Sequence, residues 1–168
     1  MSGRASRVQG KRGLLKLEEL ACALICAKPD QGEDYAGWDI MLQEDSVQGT
    51  AYDKRCHPAY HKYFVQVKAV QRGGENHRRK REKYLLDHCI RASKDLNAWF
   101  VFVAVEHAGK VEEVFLIHLH DALIRKTAAI LTADKCPEGI WISWTDSHKI
   151  DPLDAETFLR TLRSYVGK

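Results

Sequence analysis

The chain lacks any long uninterrupted run of apolar residues. Its longest apolar segments, 99–105 and 114–119, have the length of a β-strand, well below the ~18 residues that a membrane-spanning helix needs. The basic N-terminal segment also lacks the apolar core of a secretory signal, because Gly13 leads directly into charged sequence. These absences argue against membrane insertion and export, and they favour a soluble protein of the cytoplasm.

Paired cysteines are missing as well. The five cysteines, an odd number, are scattered without the spacing of a disulfide framework, which is typical of reduced thiols in a reducing compartment. Cys56, His57 and His61 offer three zinc ligands, but no fourth follows at a matching spacing. A small zinc protein is therefore the weakest hypothesis. His118 and His120 share a strand face and could bind metal, although such a pair more often lies at the surface.

Acidic residues are absent from residues 1–16, which carry five cations. Since the whole chain has a formal net charge of +3, residues 17–168 sum to −2. The first twelve residues are rich in Ser, Gly, Arg and Lys and poor in apolar side chains, so they predict a disordered basic arm over 1–12. Positive charge concentrated in one segment is typical of a local contact with a polyanion.

The remaining residues, 13–168, predict a single domain. A chain of 168 residues is long enough to bury a core and short for two domains. Helical and strand periodicities follow one another in the order αββαββαβα. The predicted fold class is therefore α/β, with a mixed central sheet flanked by helices.

The predicted elements follow from apolar spacing and from turn residues. Residues 14–28 predict a helix that Pro29 ends. A last helix is predicted to begin with Asp151 as N-cap and Pro152 in its first position. The dipeptide at 108–109 predicts a hairpin turn. The strands are predicted at 38–43, 63–70, 99–106, 112–119 and 140–145, and two further helices at 77–94 and 121–133.

Three polar side chains stand out in two of these strands. Because successive side chains of a strand alternate between its faces, Gln66 and Lys68 point the same way out of an otherwise apolar segment. Asp39 is the one acid embedded in the apolar strand before it. An acid on one strand, with an amide and an amine on its neighbour, can converge on a divalent cation.

This pattern resembles the PD-(D/E)xK phosphodiesterase superfamily, which has a restriction-endonuclease-like fold. The resemblance rests on a helix that carries an acid, on Gly37-Trp38-Asp39-Ile40, on Gln66-Val67-Lys68 and on a basic helix after them. It covers residues 14–105 and is similar to uncharacterised prokaryotic members with Gly-x-Asp followed by Val-Gln-Val-Lys. It implies a restriction-endonuclease-like core and the cleavage of DNA phosphodiesters.

The resemblance also implies a role for each matching residue. Asp39 matches the metal-binding aspartate, Gln66 the (D/E) position and Lys68 the lysine. Glu18 matches the helix acid of many members. Asp39, Gln66 and Glu18 would bind Mg2+ or Mn2+, since hard cations prefer oxygen ligands. Lys68 would orient the attacking water or offset charge on the phosphate. Gln66 departs from the pattern because an amide brings no negative charge, so reduced metal affinity is expected.

The predicted basic helix and the basic arm are expected to contact DNA. Cations near a helix N-terminus interact unfavourably with the positive end of the helix dipole, and DNA phosphates would neutralise their charge. The expected nucleic-acid-binding residues are Arg78, Arg79, Lys80, Lys83, Arg91 and Lys94. No stacking surface is expected, since Trp141 and Trp144 are assigned to the core and an interface. Nuclease-like folds often dimerise so that two sites meet two strands, which suggests a homodimer.

Two functions from different classes remain open. The first is a metal-dependent endonuclease that acts on DNA phosphodiesters, and Lys68 favours it. The second is a non-enzyme, in which the nuclease fold serves as a DNA-binding or protein-interaction module with a weak or decayed metal site. Gln66 favours this alternative, because it leaves the site poor in negative charge.

Overall fold

The computed structural model describes residues 3–29, 38–44, 62–85, 98–119 and 139–165. Its helices there are α1 (Gly3–Leu20), α2 (Glu75–Arg79) and α3 (Ala155–Ser164), with a short 3-10 helix at Asp146–His148. Its strands there are β1 (Ile25–Ala27), β2 (Ile40–Gln43), β3 (Lys62–Gln71), β4 (Arg81–Leu85), β5 (Ala98–His107), β6 (Lys110–His118), β7 (Gly139–Ser143) and β8 (Lys149–Ile150). None of the helices in these ranges is long and apolar enough to cross a membrane. The helix predicted at 121–133 lies outside the described residues.

Six strands form one mixed sheet in the order β1-β2-β3-β5-β6-β8. β2 is antiparallel to both β1 and β3, whereas β3 and β5 are parallel over nine residue pairs. β5 and β6 form an antiparallel hairpin. β4 and β7 pair separately as a two-stranded antiparallel sheet. The predicted α/β class with a mixed central sheet is therefore confirmed.

The central sheet separates two apolar clusters. On one side, which we call the helix face, Phe102 of β5 belongs to a cluster with Leu17 of α1 and Phe158 of α3. On the other side, the sheet face, Val103 clusters with Tyr84 of β4. Successive residues of β5 supply the two clusters because side chains alternate along a strand. One face of the sheet is thus covered by helices and the other by the β4–β7 pair.

The distance between α1 and the central sheet depends on Gly13. A Cβ atom at this position would lie 3.0 Å from Val67 Cγ1 and 3.2 Å from Ala104 Cβ. The missing side chain therefore lets the helix backbone lie directly on the sheet. One turn further along, Leu17 is fully buried. Nothing in the sequence indicated this close approach of helix and sheet at Gly13.

Helix α1 begins at Gly3, so it includes most of the segment that composition assigned to a disordered arm. Arginine, alanine and glutamine in this segment have good helix propensity, which a count of polar residues does not register. The Arg12 guanidinium lies 3.4 Å from the carboxylate of Glu106, which is buried on the helix face. The boundary proposed at residue 12 therefore does not coincide with a change of secondary structure.

Two predicted helices are wrong in their extent. The first ends at Leu20 rather than near residue 28, and a turn then leads into β1. The second ends after one turn at Arg79, because Lys80 adopts a left-handed conformation with φ of 46° and Arg81 starts β4. β4 pairs with β7, which lies much later in the chain. Pairing with a distant strand therefore outweighs a local helical pattern.

The last helix is confirmed, but its N-cap is Asp154 rather than Asp151. Asp154 Oδ1 accepts a hydrogen bond from the Thr157 amide at 2.9 Å, and Oδ2 accepts one from Thr157 Oγ1 at 2.6 Å. These bonds favour the ionised form and lower the pKa of the Asp154 carboxyl. Asp151 Oδ1 instead accepts from the Leu153 amide at 2.9 Å. Asp151 therefore shapes the turn before the helix.

The predicted hairpin between β5 and β6 is confirmed, and its turn holds an alanine in an unfavourable conformation. Ala108 has φ of 48° and Gly109 has φ of 78°, as the central positions of a type I′ turn require. Asparagine tolerates this region better than alanine. We therefore expect Ala108→Asn to raise the free energy of unfolding by about 0.5–1 kcal/mol, measured by urea denaturation. Gly109→Ala should lower it, and a less stable Ala108→Asn protein would contradict the strain argument.

Candidate functional site

Asp39 lies beside β3 at the level of Gln66. In the register of β2 and β3, Ile40 lies opposite Val65, and Asp39 immediately precedes Ile40. The Asp39 amide donates a hydrogen bond to the Val65 carbonyl oxygen at 2.9 Å. Asp39 Oδ2 accepts one from the Val67 amide at 2.7 Å. Two hydrogen bonds therefore hold Asp39 against β3, on either side of Gln66.

Aromatic packing holds the chain that leads into β2. The chain bends at Asp39, and the Trp38 ring before it packs on Phe64, with ring centroids 5.3 Å apart. Phe64 packs in turn on Trp99, with centroids 5.0 Å apart. These three rings are anchored on the sheet face, while the Asp39 side chain stays exposed. Packing of the half-buried Trp38 thus positions an acid that remains accessible to solvent and ions.

Gln66 points into the sheet face, as the two-residue alternation predicts. Its partner on β5 is Val101, which belongs to the apolar cluster beneath the β4–β7 pair. Gln66 Oε1 is buried and has no hydrogen-bond donor within the ranges given above. A buried acceptor that lacks a donor costs about 1–3 kcal/mol. A donor or a cation at this oxygen would therefore be favourable.

Lys68 follows Gln66 on the same face and is half-buried. Its partner on β5 is Val103, and its Nζ lies 6.0 Å from the ring centroid of the buried Tyr84. An ammonium group at this distance from an aromatic ring gains a cation–π attraction. Among the described residues, no carboxylate forms an ion pair with Lys68. Its charge is thus held close to Gln66 without neutralisation by those residues.

Glu18 is engaged by a different partner. Its Oε1 lies 2.9 Å from Lys28 Nζ. The pairing of Ala27 with Met41 places Lys28 at the Asp39 end of β2. Burial, and secondly the charge of Glu18, raise the pKa of the Cys26 thiol. The structure therefore brings Asp39 to the strand with Gln66 and Lys68, and it leaves Glu18 in an ion pair with Lys28.

These donors suit a hard divalent cation in kind, but they bring little charge. Asp39 offers a carboxylate with one oxygen held by the Val67 amide, and Gln66 offers a buried amide oxygen. Mg2+ and Mn2+ prefer oxygen ligands of this type. In the described part of the chain, no group of three or more His, Cys, Asp or Glu side chains could hold a metal ion. The donor set is therefore compatible with weak binding of one cation.

The other metal-binding groups considered from the sequence fall wholly or partly outside the described residues. The group at 56–61 and His120 lie outside the described residues. His118 packs on the helix face, where its ring stacks on Tyr165 with centroids 4.2 Å apart. Phe100 lies on its other side at 5.2 Å. The position of His118 is thus explained by aromatic packing.

Those expected nucleic-acid-binding residues that the structure describes do not share one helix, because within 77–85 the chain passes from α2 through the left-handed Lys80 into β4. Arg78 and Arg79 lie in α2, Lys80 caps it, and Lys83 lies in β4. All four are exposed. Arg91 and Lys94 lie outside the described residues. Positive charge is therefore concentrated where α2 meets β4.

Two of these cations have acidic neighbours. Arg79 lies 3.2 Å from Glu75 in the same helix, and Lys80 lies 3.1 Å from Asp146. Exposed ion pairs contribute about 0–1 kcal/mol. A phosphate can therefore compete with either acid for its cation.

The contacts of two charged residues were not predicted from the sequence. Arg81 lies with its guanidinium carbon 4.4 Å from the ring centroid of Trp141, a contact that depends on the pairing of β4 with β7. Glu106 is buried beside Arg12, and burial raises the pKa of its carboxyl, although Arg12 opposes this shift. In the sequence, Glu106 could have been noticed as an acid that directly follows the apolar segment 99–105.

No protein-family model, no curated protein and no solved structure matches this chain.

Proposed function

We propose that this protein binds DNA and cleaves its phosphodiester bonds with the help of a divalent cation. The observation that carries the proposal is the hydrogen bond from the Val67 amide to Asp39 Oδ2. It fixes a carboxylate to the strand that bears Gln66 and Lys68. Asp39 and Lys68 match the residue types of the PD-(D/E)xK superfamily that the sequence resembles, and Gln66 takes the (D/E) position. The order of α1, β2 and β3, with Glu18 in the helix, also supports a restriction-endonuclease-like core.

Each residue of the site would have a separate role. Asp39 and Gln66 would hold Mg2+ or Mn2+ through their oxygens. A cation bound there would supply Lewis-acid stabilisation of the negative charge that develops on the phosphate. Lys68 would use its ammonium N–H groups to orient the attacking water or to offset that charge, which acts most strongly in a partly desolvated site.

DNA would be attracted by the exposed cations where α2 meets β4. Arg78, Arg79 and Lys80 are adjacent in sequence and exposed, and the ion pairs of the latter two are weak enough to exchange for phosphate. Each phosphate that is neutralised releases condensed counterions, so the affinity is expected to fall with added salt.

A second function is favoured by the pairing of Glu18. Because Lys28 lies 2.9 Å from Glu18, Asp39 is the one acid of the assembled set, and Gln66 adds no charge. A site of this kind is also what a nuclease-like fold would retain as a DNA-binding module without cleavage.

The substitution Gln66→Glu distinguishes these two functions. A second carboxylate beside Asp39 should tighten Mn2+ binding by about tenfold, since one more charge a few ångströms from the cation contributes on the order of 1–4 kcal/mol of attraction. Cleavage should persist or rise. Without metal, the variant should be less stable, because burial disfavours the added charge. Calorimetric titration with Mn2+ and plasmid nicking measure the two effects.

Gln71→Glu provides the matched control, because it adds the same charge to an exposed position at the end of β3. It should change neither Mn2+ affinity nor nicking. If the parent protein cuts nothing and Gln66→Glu gains neither affinity nor activity, the enzyme proposal is wrong and the DNA-binding module replaces it.

A further inference from the structure

The β4–β7 pair has a second face that the proposed site does not use. Tyr84 pairs with Ile140 across the two strands, and both are buried toward the central sheet. Because side chains alternate along each strand, the neighbouring residues point the opposite way. These residues form what we call the outer face, and they are Arg81, Lys83, Trp141 and Ser143.

The outer face exposes an indole ring. Trp141 is 39% exposed, whereas Trp144, which follows the same strand, is 2% exposed. The guanidinium carbon of Arg81 lies 4.4 Å from the Trp141 ring centroid, so a cation covers part of the ring. Arg81 Nε is buried and has no hydrogen-bond acceptor among the residues that the structure describes. An exposed aromatic ring beside an incompletely satisfied guanidinium indicates a binding surface.

The charge of the outer face is positive. Lys83 lies directly opposite Trp141 in the strand register and is exposed. The acid of β4, Glu82, points to the other side, where its Oε2 accepts a hydrogen bond from Asn76 Nδ2 at 2.7 Å. The four residues of the outer face therefore include two cations and no acid. This charge favours an anionic partner.

The apolar area that the structure describes on this face is one ring, which favours a small flat ligand over a protein partner. Ser143 and Gly139 occupy the remaining positions of β7 on this side. A stable protein interface buries about 800 Å2 on each partner around an apolar centre. A nucleotide, by contrast, needs one flat surface for its base and a cation for each adjacent phosphate.

We infer that the outer face binds a single-stranded segment of DNA, with one unpaired base stacked on Trp141 and its flanking phosphates at Arg81 and Lys83. Every base has a π face, so such stacking tolerates any sequence. In a duplex the bases are stacked on each other and unavailable to the ring. The identification of the strand as DNA rests on the proposed function. The requirement for an unpaired base goes beyond it, and it reverses the expectation that Trp141 serves only a core or interface.

Trp141→Ala tests this inference. The variant is expected to bind a short oligodeoxythymidylate about tenfold more weakly than the parent, since one stacked base is lost. Its affinity for a short duplex should not change. Because tryptophan carries no charge, the dependence of log K on log salt should keep its slope. Fluorescence anisotropy of labelled strands over a series of NaCl concentrations measures all three quantities.

Two further variants serve as controls. Trp141→Phe keeps an aromatic ring and should retain most of the single-strand affinity. Lys83→Gln removes one phosphate contact, so its salt slope on the single strand should fall by about 0.7. Quenching of tryptophan fluorescence by the oligonucleotide gives a second readout. It should decrease in Trp141→Ala, because Trp99 and Trp144 are buried and Trp38 is only half-exposed.

The outcomes separate this inference from the proposed function. Undiminished single-strand binding by Trp141→Ala, or an equal loss on the duplex, would overturn the inference while leaving DNA binding and cleavage by the parent intact. Tighter binding of the matching RNA strand would overturn the identification of the strand as DNA. A parent protein that binds neither duplex nor single strand would overturn both proposals.

Discussion

Plasmid nicking in Mg2+ or Mn2+ is expected to fall by at least about a hundredfold when Asp39 is replaced by asparagine, since preorganised charge at a reacting phosphate contributes on the order of 100-fold or more. The substitution removes the carboxylate of the assembled set, so the heat of Mn2+ binding should vanish as well. Asparagine still offers an oxygen to the Val67 amide. Because the acceptor of this hydrogen bond is then uncharged, the free energy of unfolding should fall by only about 1 kcal/mol.

Two acids on α1 provide the comparison for Asp39→Asn. Glu18→Gln should have a much smaller effect on nicking, because Glu18 is paired with Lys28. Glu19→Gln should have none, because Glu19 pairs with Lys16 on the exposed side of the helix. Parent-like nicking by Asp39→Asn would remove Asp39 from the site. Lost nicking with unchanged Mn2+ binding would place the cation elsewhere.

Lys68→Met is expected to reduce cleavage by about two to three orders of magnitude, the range measured when one charge-stabilising donor is removed from an active site. Methionine keeps the apolar stem that packs near Tyr84, so the variant tests the ammonium group rather than the packing. Affinity for duplex DNA should change less than about twofold, because the exposed cations near α2 supply the long-range attraction. Single-turnover cleavage and duplex anisotropy measure the two quantities.

Lys62→Met is the matched control for Lys68→Met. Lys62 lies at the start of the same strand, opposite Gln43, and far along β3 from the Gln66 amide. Its replacement should leave cleavage unchanged. A parallel loss of cleavage and duplex binding in Lys68→Met would show that Lys68 contacts DNA in the ground state, and the catalytic assignment would then be wrong.

The sequence predicts those strands whose partners or turns are local. β3 has a buried residue at alternate positions of its first half, and Gly73 and Gly74 follow directly after it. β5 and β6 are joined at 108–109 by a turn that suits a hairpin. β4 was missed because its partner, β7, lies far along the chain. A local helical spacing then gave the stronger signal.

The site shows the same limit. Asp39 and the Gln66–Lys68 pair were found because each is a polar exception in an apolar strand. The partner of Glu18 was not foreseen, because a helix predicted to continue to residue 28 would carry Lys28 away from the place that it occupies beyond β1. The contact of Arg81 with Trp141 depends on the register of two distant strands, which no local pattern encodes.

The bond between Asp39 and the Val67 amide has a consequence for solubility. β3 is ten residues long, yet β2 pairs only with Lys62 to Val65. In the part of the chain that the structure describes, no strand continues along that edge beyond Val65. Open strand edges recruit strands from other molecules and promote aggregation. The Asp39 carboxylate accepts the hydrogen bond of Val67, the first amide on this edge that β2 leaves unpaired, and it places a negative charge there. Both effects oppose edge-to-edge association with another strand. Alanine at position 39 would remove both the hydrogen bond to the strand edge and the cation ligand. Asparagine keeps an oxygen for the Val67 amide but loses the charge, so it tests the two roles separately.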